Sequence, residues 1–551
     1  MSSLGPSSRR EALAILLGAP LAAIACRRAP ILSFDGRIVG QDVSHAHALR
    51  EGPMPAERWR NATEVRSRFV VVGAGPAGLS CAWTLARELR DRSAVTVLEL
   101  ESDPGGTSRS GESSVSAFPW GAHYVPTPGA HNETFVSLLR EMGVIESLDR
   151  EGHPVVAEQY LVRDLDERLW FHGQWREGLY PADGASEDDL AQWRRFQSEV
   201  DAWVRRRDRE GRRPFVLPTT LASDEPEARA LDGRSITAWL DERRFTSARL
   251  RWMVDYACRD DYGLRAEHTS AWAGLFYFAS RVQRPGAAAE ELIAFPEGNG
   301  RFVKHFADAL GDRVRCATMV HHVVLEPDGT ASVLAVRLAT GALERHRCER
   351  VVVAVPRFVA DRIVPASVAG DPSLRARTAD YSPWLVCNLH LRDRLFRDGG
   401  GLEMAWDNVL YDSPALGYVC ATHQSLRDHG PTVLTWYLPM CGEDPNAERR
   451  KLFAMDWRAC ADAAVSDIVR AHPDLARVLE RVDVMRWGHA MPRPTVGHLA
   501  RRAPSEPASS DPRVLFAHTD RSGLALFEEA LDRGTRAARA LLAPRITAAG
   551  T

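Results

Sequence analysis

Lysine is nearly missing from this chain. Among 70 basic residues in 551, only Lys304 and Lys451 are lysines, and arginine, which stays protonated in proteins, cannot act as a general base or a tunable amine. Chemistry that runs through a lysine is therefore confined to two positions. The nine cysteines are scattered and include no C-x-x-C pair, which argues against a zinc site or a dithiol redox centre. No metal is expected. Several of the thiols, such as Cys81 and Cys387, lie in apolar periodic segments and read as buried. An excess of one charge is lacking too, since 70 basic and 73 acidic residues leave a net charge of −3. Bulk electrostatics then recruits neither nucleic acid nor an acidic membrane. No internal repeat is present.

What is there begins with "VVVGAGPAGLSCAWTLA" at 70 to 86. Phe69 to Val72 reads as a buried strand that turns at Gly73, Gly75 and Gly78 into an alanine-rich helical stretch starting near Ala77. In this spacing the first glycine permits a tight turn, the second lets the backbone approach a pyrophosphate, and the third lets helix and strand pack closely. A second strand, "AVTVLELE", carries Glu99 about 20 residues on, where an acid accepts hydrogen bonds from a ribose diol. Strand, turn, helix and acid in this order predict a dinucleotide site.

The motif starts late, and residues 8 to 26 suggest why. "SRREAL" followed by "AILLGAPLAAIAC" is a twin arginine ahead of a short apolar segment, the pattern recognised by the export machinery for folded proteins. The apolar run Ala12 to Ala25 is shorter than the roughly 18 residues of a membrane span. Cys26 ends it as either an imperfect lipoprotein site, which would tether the protein to a membrane from outside, or a cleavage position without lipid. An exported, extracytoplasmic location, periplasmic where such a compartment exists, is expected. Residues 27 to 66, rich in Arg, Pro, Ala and His, then form an extension that wraps the surface or acts as a spacer.

Past Glu99 the chain reads "ESDPGGTSRSG", with Gly105, Gly106 and Thr107, and "FPWGAHYVP" at 118 to 126, with Gly121, Ala122, His123 and Tyr124. Here it resembles the flavin-dependent amine oxidase superfamily, which includes monoamine and polyamine oxidases and is related to the phytoene desaturases. In that family the double glycine passes the FAD pyrophosphate and a G-A-x-[WY] segment lies beside the flavin. The resemblance continues through "AFPEGNGRFVKHFADALGDRVR", "ATMVHHVVLEPDG", "RVVVAVPRFVADRIV" and "VLFAHTDRSGLALFEEALDRGTRAA". It implies FAD as cofactor, Val320 at the adenine, Asp520 near the ribityl chain, and the amides of Phe527 and Glu528 at the pyrimidine. His518 stands where the family's closing motif has glycine, and the acid is displaced by two positions.

The implied fold is α/β: a Rossmann-type FAD-binding domain interleaved with an α+β substrate domain, a mixed sheet roofed by helices. Residues 1–26 would be the signal peptide and 27–66 the extension. The FAD domain would take 67–126, 293–375 and 491–545, and the substrate domain 127–292 and 376–490.

The family's water-bridged lysine on the strand matching "SPWLVCNLHL" is absent. Val386 falls at its position, with Cys387 or Asn388 if the register slips. Leu524 falls where a second cage aromatic is expected. The remaining candidates near the flavin are His123, Asn388, Trp436, Tyr437, Trp487 and His489, of which His123, Asn388 and Trp487 are taken as catalytic. His123 could equally hold a backbone carbonyl beneath the ring, and Trp436 and Tyr437 fit core packing. The acidic turn "CRDDYG" at 258 to 263 could meet a cationic substrate, yet paired acids in a loop are usually just solvated, and it is not taken as a site. The resemblance implies an exported FAD-dependent oxidoreductase that dehydrogenates a C–N or C–C bond by hydride transfer to flavin N5, with an amine or an apolar lipid as small-molecule substrate. An isoprenoid or lipid desaturase-like flavoenzyme and a non-catalytic flavin-binding interaction protein are the alternatives.

Overall fold

The computed structural model describes residues 34–543 except 53, 283–285, 287–290, 366, 369–379, 396–401, 426–428 and 503–508. Arg9, Arg10 and Cys26 lie outside the described residues. The compact unit that begins at Gly36 holds the sheets and helices that build the site.

Five parallel strands form the cofactor sheet, in the order Val314–Arg315, Val95–Leu98, Phe69–Val72, Arg350–Val353, Val514–Phe516. Its central strand is buried at all four positions, as a parallel strand covered on both faces must be. The helix Pro76–Leu89 packs on it, and the C-terminal helix Phe527–Leu542 crosses that helix at Gly534. A smaller sheet, Thr318–Leu325, Ala331–Arg337 and Ala342–Cys348, is joined on its edge by Thr63–Arg66 from the N-terminal extension. The helix Glu133–Glu141, beyond the boundary expected at 126, packs Phe135, Leu138 and Leu139 into the cofactor core.

The second large sheet has eight strands, in the order Asp35–Val39, Leu479–Pro492, Tyr381–Leu391, Thr432–Pro439, Gly417–Cys420, Asp407–Leu410, Glu167–Phe171, Gln174–Glu177. It is mixed: Glu167–Phe171 runs parallel to Asp407–Leu410, whereas both neighbours of Tyr381–Leu391 run antiparallel to it. All eleven residues of that central strand are buried. Helices Glu187–Arg205, Ile236–Glu242, Ala248–Tyr262 and Ala271–Ser280 form the roof, each starting at a serine whose side chain accepts a hydrogen bond from the first turn. Such caps satisfy amides that the helix itself cannot. Phe196, Trp203, Trp239, Phe245, Trp272 and Phe276 fill the helical core.

The α/β architecture with a mixed sheet under helices is the one implied by the sequence. The extension behaves differently from a spacer, because it gives one strand to each of two sheets. Cys81, Cys258, Cys348, Cys387, Cys420 and Cys460 are buried free thiols.

The crossing at Gly534 yields a stability test. A Cβ there would overlap the Ala77 carbonyl and the Ser80 hydroxyl. Alanine gains about 1 kcal/mol of helix propensity, whereas overpacking against fixed backbone costs about 1–3 kcal/mol. Gly534→Ala should therefore lower the urea midpoint; an unchanged or raised midpoint refutes the tight crossing.

Candidate active site

The chain leaves the central strand at Gly73, whose φ of 98° lies in a region L-residues avoid, while its amide donates to the Leu98 carbonyl at 2.8 Å. Gly75 then caps the helix Pro76–Leu89, so unpaired amides and the positive end of the helix dipole face a cavity of about 380 Å³. A Cβ on Gly75 would meet no atom within 4 Å. The missing side chain is what keeps that space open. Gly106 and Thr107 pass on the other side, with Gly106 reaching to 3.5 Å of the Gly75 Cα for a built Cβ. Gly73, Ala77, Glu99, Val320 and Phe527 also line this cavity. Glu99 Oε2 accepts from the Ala74 amide at 2.6 Å and Oε1 from the Glu101 amide at 3.0 Å. Burial raises its pKa.

Three expected cofactor contacts stand back from the cavity. Gly78 is a packing glycine: a Cβ there would overlap the Gly73 carbonyl. Gly105 donates its amide to Ala74 O at 2.8 Å and supports the loop from behind. Asp520 is turned inward. Residues Thr519–Arg521 make a single 3-10 turn capped by the His518 side chain, which aims the Asp520 carboxylate at Tyr381 Oη (2.7 Å), the Arg357 amide (2.6 Å) and His518 Nδ1 (3.0 Å). Burial opposes ionisation there, yet these partners hold its pKa down to about 2. His518 and Thr519 line the cavity in its place.

A second cavity of about 140 Å³ shares Thr107, Ala122, Trp487, Ala490, Leu526 and Phe527 with the first, so the two adjoin. Gly121, Ala122, His123 and Tyr124 form one wall and Val386 another. The His123 ring stacks on Tyr437 at 4.8 Å, with Nδ1 3.4 Å from the Gly121 carbonyl. Burial lowers its pKa to about 4, so the imidazole is neutral at pH 7, and Nε2 has no hydrogen bond among the described residues.

The other two catalytic candidates are structural. Asn388 is fully buried; its amide donates to Pro119 O at 3.1 Å and its oxygen accepts from Thr435 Oγ1 at 2.7 Å. Trp487 Nε1 donates to Trp120 O at 2.6 Å, leaving only its ring at the cavity. Cys387 faces Cys460, and Trp436 Nε1 donates to Asp467. Tyr437 is a wall of the second cavity and His489 of the first. Leu524 is buried in the helical core, and Leu526 takes the place at the cavity.

The acids are what sequence reasoning misses. Asp260 and Asp261 belong to the helix Ala248–Tyr262, ended by Gly263 in the left-handed conformation. Asp261 grips Arg281 through Oδ1–Nη2 at 2.7 Å and Oδ2–Nη1 at 3.1 Å. Asp260 accepts from Tyr124 Oη at 3.3 Å; burial and the neighbouring Asp261 push its pKa up. Asp407 accepts from Tyr256 Oη at 3.5 Å and is raised by burial, Glu167 and Asp260. Glu167, its neighbour across the strands, is pushed up to about 7 by burial, Asp166 and Asp260. Burial also lifts Glu528, a lining residue of the second cavity, to about 7. One local signal points to the group: Tyr256 and Asp260 are four apart and share a helix face.

The sequence matches the family described as flavin containing amine oxidoreductase over residues 76–542. The chain belongs to that family. It is thus a FAD-dependent oxidoreductase. A comparison with curated protein sequences gives no match. Among solved structures it is similar to putrescine oxidase bound to putrescine, at 17% identity and a TM-score of 0.63 over 87% of this chain and 100% of the other. It is similar to cyclohexylamine oxidase from Brevibacterium oxydans, at 16% identity and a TM-score of 0.58 over 86% and 98% of the two chains. It is likewise similar to a fatty acid isomerase from P. acnes, at 14% identity and a TM-score of 0.59 over 86% and 98%. At these identities the likeness is one of fold.

The residues fit FAD. Besides the open face of Gly75, Arg109 is a buried guanidinium on the cavity wall whose Nε and Nη1 lack hydrogen bonds, its acid partners Glu101 and Asp103 standing at 3.5 Å. Such nitrogens suit phosphate oxygens. The amine oxidoreductase fold also brings the N-terminus of Phe527–Leu542 to the cavity with no side-chain cap. Asp149, Glu151 and His153 form a surface trio that lines neither cavity. No helix among the described residues is long and apolar enough to cross a membrane.

Gly75→Val fills the pyrophosphate approach from a position where an added Cβ meets no protein atom within 4 Å. The variant should fold and purify colourless; a wild-type ratio of flavin to protein absorbance would disprove the placement.

Proposed function

We propose that this amine oxidoreductase oxidises a cationic amine. The observation that carries the reading is the charge of the second cavity: Asp260, Asp407 and Glu528 line it, and the one arginine on its wall among the described residues, Arg281, is already paired with Asp261. Buried carboxylates without a counter-charge are costly. A substrate ammonium supplies that counter-charge, and the faces of Tyr124, Tyr256, Tyr437 and Trp384 favour it further. An apolar isoprenoid or lipid would desolvate the same acids and give nothing back. The adjoining cavities also speak against a purely structural flavin.

The flavin, when bound, accepts the hydrogen and two electrons of the substrate C–H bond next to nitrogen. The chain's own residues prepare the amine for this. A carboxylate whose pKa is lifted toward neutrality is a better proton acceptor than a free aspartate, so Asp260 both attracts the ammonium and takes its proton. His123, neutral with Nε2 toward the cavity, orients the nitrogen. Val386 leaves the lysine position apolar, which excludes a water bridge held by that side chain.

The twin arginine and the apolar segment 12 to 25 support export of the folded, loaded protein, with Cys26 as a lipid tether at the outer face of the membrane. Changing Arg9 and Arg10 to lysine should leave the precursor in the cytoplasm on fractionation; continued secretion would overturn the export reading.

For the chemistry, protein held without oxygen should lose its flavin absorption when primary amines or polyamines are added. Bleaching by isoprenoid lipids alone would refute the amine reading. Asp260→Asn should raise KM for the amine about tenfold or more, the loss expected for a buried charge pair. Since a raised pKa means that Asp260 is protonated on the acid side of neutrality, kcat/KM should fall as pH drops below about 7, and the variant should lose that limb.

A further inference from the structure

The N-terminal extension does more than delay the fingerprint. Gln41, Asp42, His47, Leu49 and Arg50 line the cofactor cavity together with Gly73 and Gly75 of the fingerprint loop. The segment is fastened on both flanks. Upstream, Gly36 lies so close to the long strand Leu479–Pro492 that a Cβ would overlap the Val482 carbonyl. Downstream, Trp59 is 3% exposed and its ring lies 5.9 Å from His321, one residue from Val320. Thr63–Arg66 then pairs with Ala342–Cys348.

Between these anchors the hold is light. The short helix Val43–Ala48 has no buried residue. Among the described residues two contacts hold it: the Asp42 amide donates to Glu101 Oε1 at 2.9 Å, and Leu49 packs against the buried cluster that includes Val72, Ala360 and Ile363. Glu101 is two residues from the ribose acid Glu99 and pairs with Arg109. The latch is therefore built on the same loop that holds the nucleotide.

We propose that residues 41 to 50 are a strap across the FAD site, latched by the Asp42 amide on Glu101 and by Leu49, and that the cofactor leaves only when this strap lifts. A segment with firm flanks and a weakly packed middle opens locally at far less cost than the whole domain unfolds. Retention of the flavin is then set by strap opening.

The test is exchange of bound FAD for 8-chloro-FAD added in excess, followed by the shift in visible absorption. Asp42→Pro removes the amide donor at a φ of −73° that proline accepts, and Leu49→Ser removes the packing. The double variant should exchange about tenfold faster or more, the effect expected from losing a hydrogen bond to a charged group and an apolar contact. Exchange at the wild-type rate overturns the proposal. Should the variant not fold, hydrogen exchange on the wild-type protein decides: amides 41 to 50 should be better protected with FAD than without it, and equal protection overturns the strap. The flavin content of the wild-type protein, measured first, separates failure of the strap from failure of the FAD site itself.

Discussion

Three successive carbonyls tie the two halves of this protein together. The backbone oxygens of Pro119, Trp120 and Gly121 accept from Asn388, Trp487 and Tyr437, which stand on three adjacent strands of the eight-stranded sheet. The segment 121–124, which lines the second cavity, is thus fixed by the eight-stranded sheet. A backbone carbonyl left unpaired in this interior would cost free energy comparable to a lost hydrogen bond, so the arrangement satisfies the segment and sets its register at once. His123 and Tyr124 follow directly and inherit their positions from it. Tyr437 serves twice, holding Gly121 and stacking on His123.

This anchoring explains which residues are left for chemistry. Asn388 has committed its polar atoms to Pro119 O and Thr435 Oγ1, and Trp487 its indole N–H to Trp120 O, whereas Nε2 of His123 has no hydrogen bond among the described residues. The acids come from other elements: the roof helix brings Asp260, and two paired strands of the mixed sheet bring Asp407 and Glu167. Burial is the main reason that all three titrate high, and the nearness of other carboxylates adds to it.

The cofactor cradle is legible in the sequence because its signals are local. A glycine at 75 or 106, an acid at 99 and a helix start at 527 each follow from a short stretch of chain, and each lines the cavity. The failures have a common physical origin. Counting along a motif whose glycine is replaced puts Asp520 at the ribityl chain, and a capped 3-10 turn rotates it away. Leu524 lies two residues off for the same reason. Asp260 reads as solvated because its partner Tyr124 is 136 positions distant. Asp407 carries no local signal at all, since only the pairing with Glu167 makes it part of a charged group. Nonlocal electrostatics leaves little trace in a linear pattern.

The shortage of lysine acquires a meaning in this setting. A mobile ammonium beside the flavin would neutralise Asp260 or Asp407 and remove the field that draws in a cation. With Val386 in that position, the second cavity keeps its acidic lining, while two helix N-termini and Arg109 bring positive charge to the first. The two ends differ in sign within adjoining cavities. On the proposed amine reading, the cofactor phosphates and the substrate ammonium are each attracted to a different end, so the charge pattern that suits FAD also suits an amine facing it.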